Sequence, residues 1–550
     1  MTCSSMKAAV VMVLVFSAFP IAAQQHEHRA SAGEDVGRVV FPSSCDAAVQ
    51  PDLERAVAML HSFWYEKAEE AFNRITSKAP ECGMAYWGAA MSVFRPLWQP
   101  SSPAELQRGA TAAARALAAK QTSAREHAYA RAIGAFYEKS ATVSHATRVL
   151  AYEAAMATVY TTYPRDDEAA AFYALAMLGA AAVSSSDPMF VRQKRAAALL
   201  NGVAARHPRH PGITHYFIHA YDSPELASLA LPAARTYAAI APSVPHALHM
   251  PSHIFTRMGR WDEAIASDLA SAKAARAYAE STAMPGVWDQ ELHALDYLVY
   301  AYLQGAQDRR AALVLERITG VTQAEPPVQA AAHALATAPA RFALERHDWQ
   351  AAVALKLAQT NVRWENYRWS EANVYYAVAL GAARTGNLPR AREEITRLEK
   401  MYQELQGKDK YAGLIDAQRR AASAWVAEAE GRSGEALMLL RSAADLEESI
   451  EKHPVTPGML LPARELLGDL LLAQAQPAEA LKAYEATLKH SPRRFNSIAG
   501  AMRAAERSGA RAVALRYARA LLELSANADS PRPEISEAKR LTAGGRSLDR

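Results

Sequence analysis

The chain has 550 residues, half of them apolar, and a formal net charge of only +4. That length exceeds one ordinary compact core and requires several domains or a repeat array. The small net charge, with arginines scattered among acids, excludes the strongly basic face of a nucleic-acid binder. Abundant alanine, modest glycine and the lack of long β-branched runs predict packed helices.

Residues 1–23 read as an export signal. Lys7 gives a positive start, residues 8–19 are an apolar run, and Ile21-Ala22-Ala23 supplies small residues for cleavage before Gln24. An uncleaved anchor is the alternative, but the run is short for a bilayer, and no later stretch reaches the ~18 apolar residues of a span. Cys3 precedes the run, so no cysteine follows it to carry a lipid. The expected location is the periplasm or the exterior, with no membrane span after cleavage. The freed Gln24-Gln25-His26 would present an amine, two amides and an imidazole to Cu(II) or Ni(II). A loose tail with a chance histidine is the plainer reading. Cys45 and Cys82 alone remain after cleavage, and in an oxidising compartment they are expected to pair, tying the loose segment 24–48 to the first repeats. A free reactive thiol is the alternative.

Helical repeats begin near Val49. Ala68, Phe72 and Pro80 have the spacing A-x3-F-x7-P, and Tyr86-Trp87-Gly88 opens the next helix. Further helices are expected over 103–138, 145–163 and 166–183. Then comes a stretch from 208 to 264 with an internal offset: His215 and His219 recur as His249 and His253, both shifted by 34 residues. That is the length of one helix–turn–helix unit in a tetratricopeptide array. Gly259/Ala264, Gly386/Ala391, Gly431/Ala436 and Gly509/Ala514 mark inter-helix turns, with glycine at the turn and alanine where paired helices touch. Residues 305–340, with Pro326-Pro327, are less regular and are expected to divide a lobe at 49–304 from one at 341–526. The polar tail 527–550, with Pro531 and Pro533, is expected to fray.

The clearest unit is 461–494. Leu467, Gly468, Ala480 and Pro492 stand at signature positions, with Leu471 and Tyr484 as substitutes; Arg464 and Thr487 depart from the pattern. On these residues the chain resembles the tetratricopeptide-repeat family over most of 49–525. The block from His246 to Phe255 is also similar to blocks in exported bacterial repeat proteins, and no activity attaches to that likeness. The resemblance implies an all-α, right-handed solenoid. It implies too that the concave face, lined by the first helix of each pair, binds a peptide or partner protein.

The histidines are the sharpest chemical signal. His215-x3-His219-x2-Asp222 projects from one side of a helix, and His249-x3-His253 occupies the equivalent place on the next, with His246 one turn earlier. His293-x2-Asp296 repeats the spacing on a third helix. Together they can bind a divalent Zn, Cu, Fe or Mn ion. Two other readings stand beside this: a metal-free polar network in a binding groove, and unconnected histidines whose shared offset records duplication. Pro251, between His249 and His253, either kinks the helix or starts it. The glutamate of H-E-x-x-H is missing, and there is no phosphate loop and no Gly-x-Ser-x-Gly elbow. His61, Trp64, Trp87 and Trp98 are candidates to line the same groove, although aromatic packing between repeats explains such clusters as well. The aromatic stretch from Trp364 to Trp369 reads as packing. Arg257 is placed to pair with a carboxylate, on Asp222 or on a substrate. The reading is therefore of an exported scaffold for a peptide or partner protein, with a multi-histidine metal protein as the alternative.

Overall fold

Alanine-rich segments with apolar residues at helical spacing bury one face and leave few strand formers over. The computed structural model describes residues 1, 34–98, 100–184 and 187–545. The export segment with Cys3, and Gln24-Gln25-His26, lie outside the described residues.

Helices fill the described chain. The first are α1 (Gln50–His61), α2 (Tyr65–Lys78), α3 (Gly83–Phe94), α4 (Pro103–Ala118), α5 (Ala124–Tyr137), α6 (His145–Thr162), α7 (Asp167–Val183) and α8 (Val191–Ala204). The central ones are α9 (Pro211–Tyr221), α10 (Leu231–Ile240), α11 (Pro245–Arg257), α12 (Trp261–Ser281), α13 (Asp289–Gln304), α14 (Asp308–Thr319) and α15 (Gln329–Leu344). After α16 (Trp349–Val353) come α17 (Arg368–Arg384), α18 (Leu388–Leu405), α19 (Ala412–Ala429) and α20 (Ser433–Glu448). The last are α21 (Ala463–Ala473), α22 (Pro477–His490), α23 (Phe495–Arg507), α24 (Arg511–Leu524) and α25 (Pro533–Gly545). Two short strands, β1 (Val287–Trp288) and β2 (Ala324–Glu325), pair in parallel. The fold is an all-α solenoid in which helices pack chiefly on their neighbours along the chain. Among the described residues no helix is long and apolar enough to cross a membrane.

Small residues set the spacing between helices. A Cβ on Gly468 or Gly500 would stand 2.7 or 2.3 Å from the ring of Tyr484, so the two glycines together admit one aromatic wedge between α21, α22 and α23. Gly88 makes the same room for Phe72. At the turn before α12, Gly259 has φ +63° and a Cβ there would meet the carbonyl oxygen of Pro492 at 2.3 Å. Glycine is required there twice over, by conformation and by the approach of a distant turn.

That approach is part of a closure. The chain doubles back so that α21–α25 pack on the middle of the array. The Trp261 indole donates to the Arg493 carbonyl at 2.9 Å, and the Phe495 amide donates to the Gln304 side chain at 2.9 Å. Arg494, fully buried, joins Glu345 at the end of α15 to Glu465 on α21. The two apolar cores divide inside α15: Ala338 belongs to the first and Ala340 to the second. Phe495, Ile498 and Leu521 return to the first core. A separate C-terminal lobe over 341–526 is thus corrected to one that shares its last helices with the first.

Two expectations of looseness are also corrected. In segment 24–48, the described part from residue 34 is anchored: Phe41 is buried against Trp87, Tyr129 and Phe172, and the Arg38 amide donates to the Arg209 carbonyl at 3.0 Å. Cys45 is bonded to Cys82 at the start of α3. The described part of the tail 527–550, as far as residue 545, carries α25 where fraying was expected. The Asp529 carboxylate accepts from the amides of Arg309 and Arg310 at 2.9 and 3.0 Å, capping α14, and Arg532 is buried against Asp308.

Candidate metal centre

The inner helices α9, α11 and α13 carry the histidines. α9 starts on Pro211, with the His210 ring accepting from the Ile213 amide as its cap, and α11 starts on Pro245. α11 runs on through Pro251, so His249 and His253 share one helix face. The matched doublets do not meet as one set of four. They form two triads: His215, His219 and His246, then His249, His253 and His293. In each triad one ligand atom per ring lies within 4.8 Å of the others. The triads adjoin, with the rings of His246 and His249 at 6.4 Å.

In the first triad, Nε2 of His215 lies 3.0 Å from Nε2 of His219 and 3.2 Å from Nε2 of His246. Nδ1 of His215 is 2.7 Å from the carbonyl oxygen of His61. A carbonyl only accepts, so Nδ1 carries the hydrogen and Nε2 presents a lone pair. Nδ1 of His246 is buried without a partner.

The second triad is backed differently. Nε2 of His249 and of His253 are 3.0 Å apart. Nδ1 of His249 meets Asp268 at 2.6 Å, and Nδ1 of His253 meets Asp222 at 2.9 Å. Asp222 is in turn held by Arg257 at 2.8 Å, which also pairs with Glu451. His293 has its Nδ1 buried and unpartnered, and Asp296, one turn along α13, has both carboxylate oxygens buried and unpartnered. The Tyr297 ring packs on all three histidines, its hydroxyl 3.2 and 3.3 Å from the carbonyls of Pro454 and Thr456. The connection between α20 and α21 thus lies against this side of the centre.

Burial keeps these rings neutral. It pushes His219 and His249 down to about 3 and His253 to about 4, with Asp222 partly offsetting the last. His215, His246 and His293 are likewise lowered well below 6.5, by burial first and by neighbouring histidines second. Burial works on Asp222 in the opposite sense, but Lys452 and Arg257 win and hold it well below the carboxylate range. Asp268 is pushed well up by burial, so without an ion its hydroxyl donates to Nδ1 of His249, and Nε2–H of His249 donates to His253. The His249–His253 pair of the second triad therefore has a satisfied metal-free arrangement, although Nδ1 of His293 beside it stays without a partner. The first triad has no such arrangement.

A third cluster serves as a control. Glu168 accepts from Nε2 of His61 and of His210, both at 2.8 Å, and Nδ1 of His61 takes the Tyr216 hydroxyl at 2.8 Å. Burial opposes ionisation of Glu168, but the two histidines outweigh it and hold its pKa far down. Every polar group here has a partner, and no ion is needed. His61 therefore acts through its carbonyl on His215 rather than in a groove.

Other expectations move. Asp222 binds across to His253 instead of joining His215 and His219, because it caps the end of α9 where α11 passes. Trp87 is wholly buried between helices and lines no groove, whereas Trp64, buried against Tyr278, edges the same small space as Trp98 and His246. Trp98 and His246 do border a water-sized space, shared with Phe63 and Trp288. Asp268, Tyr297 and Lys452 were missed. Asp268 had a signal: it interrupts the buried stripe of Ala264, Ile265 and Ala272 on α12, where an acid has no place without a partner.

No protein-family profile matches the chain. No curated protein matches it either. Among solved structures it is similar to the tetratricopeptide domain of P58(IPK), at 15% identity over 69% of this chain and 99% of that one, with a TM-score of 0.21. It is also similar to yeast Tom70, at 10% identity over 91% and 96%, with a TM-score of 0.33. At these levels the likenesses say nothing about what the chain binds.

Proposed function

We propose that this protein binds two transition-metal ions in a six-imidazole centre, one in each triad. The observation that carries the reading is the first triad. The lone pair on Nε2 of His215 is met at 3.0 and 3.2 Å by two more Nε2 atoms, in a buried setting that disfavours an imidazolium. One hydrogen can bridge one of these approaches; a single cation among the three nitrogens satisfies both. An all-imidazole set suits zinc, copper or iron better than manganese, which prefers oxygen donors. Three protein ligands per ion leave a fourth position for water or substrate, as in catalytic rather than structural sites. An export signal at 1–23 and the Cys45–Cys82 bond support a place in the periplasm or outside the cell.

The test is metal analysis of the purified protein after loading with zinc, copper or iron salts and gel filtration. Two ions are expected in the wild type, with one lost in His219→Ala and one in His253→Ala. A wild type that retains none after all three salts overturns the reading.

A second reading, a scaffold for a peptide or partner protein, is supported by a groove bordered by Pro224, Arg257, Trp261, Lys452 and Arg464. Its mixed charge and exposed rim suit an extended peptide. Metal-free protein whose partner capture is indifferent to both histidine variants favours this one.

A further inference from the structure

Each ring that binds a metal through Nε2 has its outer nitrogen free to touch something else, and that partner sets how strongly the ring holds the ion. The two triads differ there. In the second, His249 and His253 rest on the carboxyl groups of Asp268 and Asp222 at 2.6 and 2.9 Å. His293 has an unpartnered Nδ1 one turn from the unpartnered carboxylate of Asp296, both buried. Two of its three rings thus rest on an aspartate, Asp268 from α12 and Asp222 at the end of α9, while Asp296 on α13 faces His333 at 3.9 Å. In the first triad, His215 rests on a neutral carbonyl at 2.7 Å, and His246 has nothing on its outer nitrogen. No hydrogen bond joins a carboxylate to any ring of the first triad among the described residues.

We propose, resting on the metal reading above, that the two positions are unequal. The aspartate-backed triad His249–His253–His293 is the tight, resident site for a divalent transition ion, and the carbonyl-backed triad His215–His219–His246 holds an exchangeable one. A charged acceptor on Nδ1–H makes the ring a better donor to the metal, and a hydrogen bond to an ionised group is about twice as strong as one to a neutral group. The Asp222 carboxylate, 2.9 Å from Nδ1 of His253, also supplies negative charge beside a dication, which an interior otherwise tolerates poorly. Lys452 and Arg257 face the same triad, but Arg257 is engaged by Asp222 and Glu451, and the Lys452 ammonium donates to the Thr456 carbonyl at 2.9 Å. The exchangeable ion is the one whose ligand His246 borders the water-sized space among Phe63, Trp98 and Trp288. Asp222 and Asp268 are positioning residues, acting through the rings.

The experiment is a titration of the metal-stripped full chain with zinc against a chelator of known affinity. Two steps are expected, at least about tenfold apart. Losing one outer partner of a ligand histidine typically lowers metal affinity about 10–100-fold. Asp268→Asn and Asp222→Asn should therefore loosen the tight step by that factor and leave the weak step unchanged, with Asp268→Glu restoring it. His246→Gln should remove the weak step alone, which tests the assignment even if an aspartate variant fails to fold by far-UV circular dichroism. Two ions bound in one unresolved step, or Asp268→Asn loosening both steps equally, overturns the inequality while leaving the metal centre standing. Loss of the tight step in His246→Gln reverses the assignment and overturns it too. A wild type that binds no zinc overturns the inequality together with the metal reading.

Discussion

Replacing Arg494 tests whether the closure of the array holds the molecule together. Its guanidinium is fully buried, donating to Glu345 at 2.8 and 2.9 Å, to Glu465 at 2.7 and 3.0 Å, and to the Tyr300 hydroxyl at 3.3 Å. Arg494→Met keeps most of the volume and removes the charge, leaving two carboxylates buried. Asn496 still donates to Glu345, and Ser497 to Glu465, so neither is bare. Breaking a buried ion pair from one side costs about 3–5 kcal/mol. Unfolding entropy near 2.1 cal/mol/K per residue over about 500 ordered residues makes that a fall in Tm of about 3–5 °C, if the unit melts cooperatively. The deficit depends on pH. Burial already pushes Glu345 upward, and removing the arginine pushes it further. An acid with a folded pKa above its unfolded one loses stability as pH rises and regains it as pH falls. The deficit should thus narrow between about pH 7 and about pH 5. Thermal melts by circular dichroism at both values measure it. A deficit under about 1 °C near neutrality, or one that widens on acidification, refutes the clasp. Adding Glu345→Gln and Glu465→Gln to Arg494→Met should recover most of the loss, since an uncharged buried cluster is cheap to keep.

Metal-free protein should weaken in acid. His249 is held at about 3 and His253 at about 4, against 6.5 when unfolded, so the unfolded chain takes up protons that the native one refuses. Their contribution is intact above about pH 6.5 and is lost toward the folded values, at about 1.4 kcal/mol per pH unit for each histidine; a urea midpoint that stays level from about pH 7 to about pH 5 would contradict this. Two glycines separate packing from backbone strain. Gly500→Ala drives a Cβ to 2.3 Å from the Tyr484 ring and should cost about 1–3 kcal/mol, relieved by Tyr484→Leu. Gly386→Ala, at φ +81° with open space around it, should cost about 1 kcal/mol that no neighbouring substitution relieves.

Local pattern carried the helices and the turn glycines, because both are set by residues within one or two turns of each other. It also carried the facing of His215 with His219 and of His249 with His253, which the 3.6-residue repeat of a helix fixes. The partition into triads was beyond it. His246 joins His215 because α11 lies alongside α9 with His246 against His215 and His253 against Asp222, each pair 31 residues apart instead of 34. That shift depends on side chains between helices, not on spacing along either. Asp268 was readable as a misplaced acid, yet its ring partner was not. The clasp of Arg494 on Glu345 was invisible for a simpler reason: nothing in a repeat's own period announces that the far end of the array will come back 149 residues later.

Open arrays of helical hairpins behave like beads on a string, each unit leaning only on the next, so that beads can be added or dropped with little effect elsewhere. This chain has fastened its string into a loop. With Trp261 hooked to Arg493 and α25 docked by Asp308 and Arg503, inserting a single hairpin anywhere between α16 and α21 would carry the fastening past its mark. The number of units is then as fixed as the length of a strap with one buckle hole, and gene duplication, the usual way such proteins lengthen, is closed to it in that stretch.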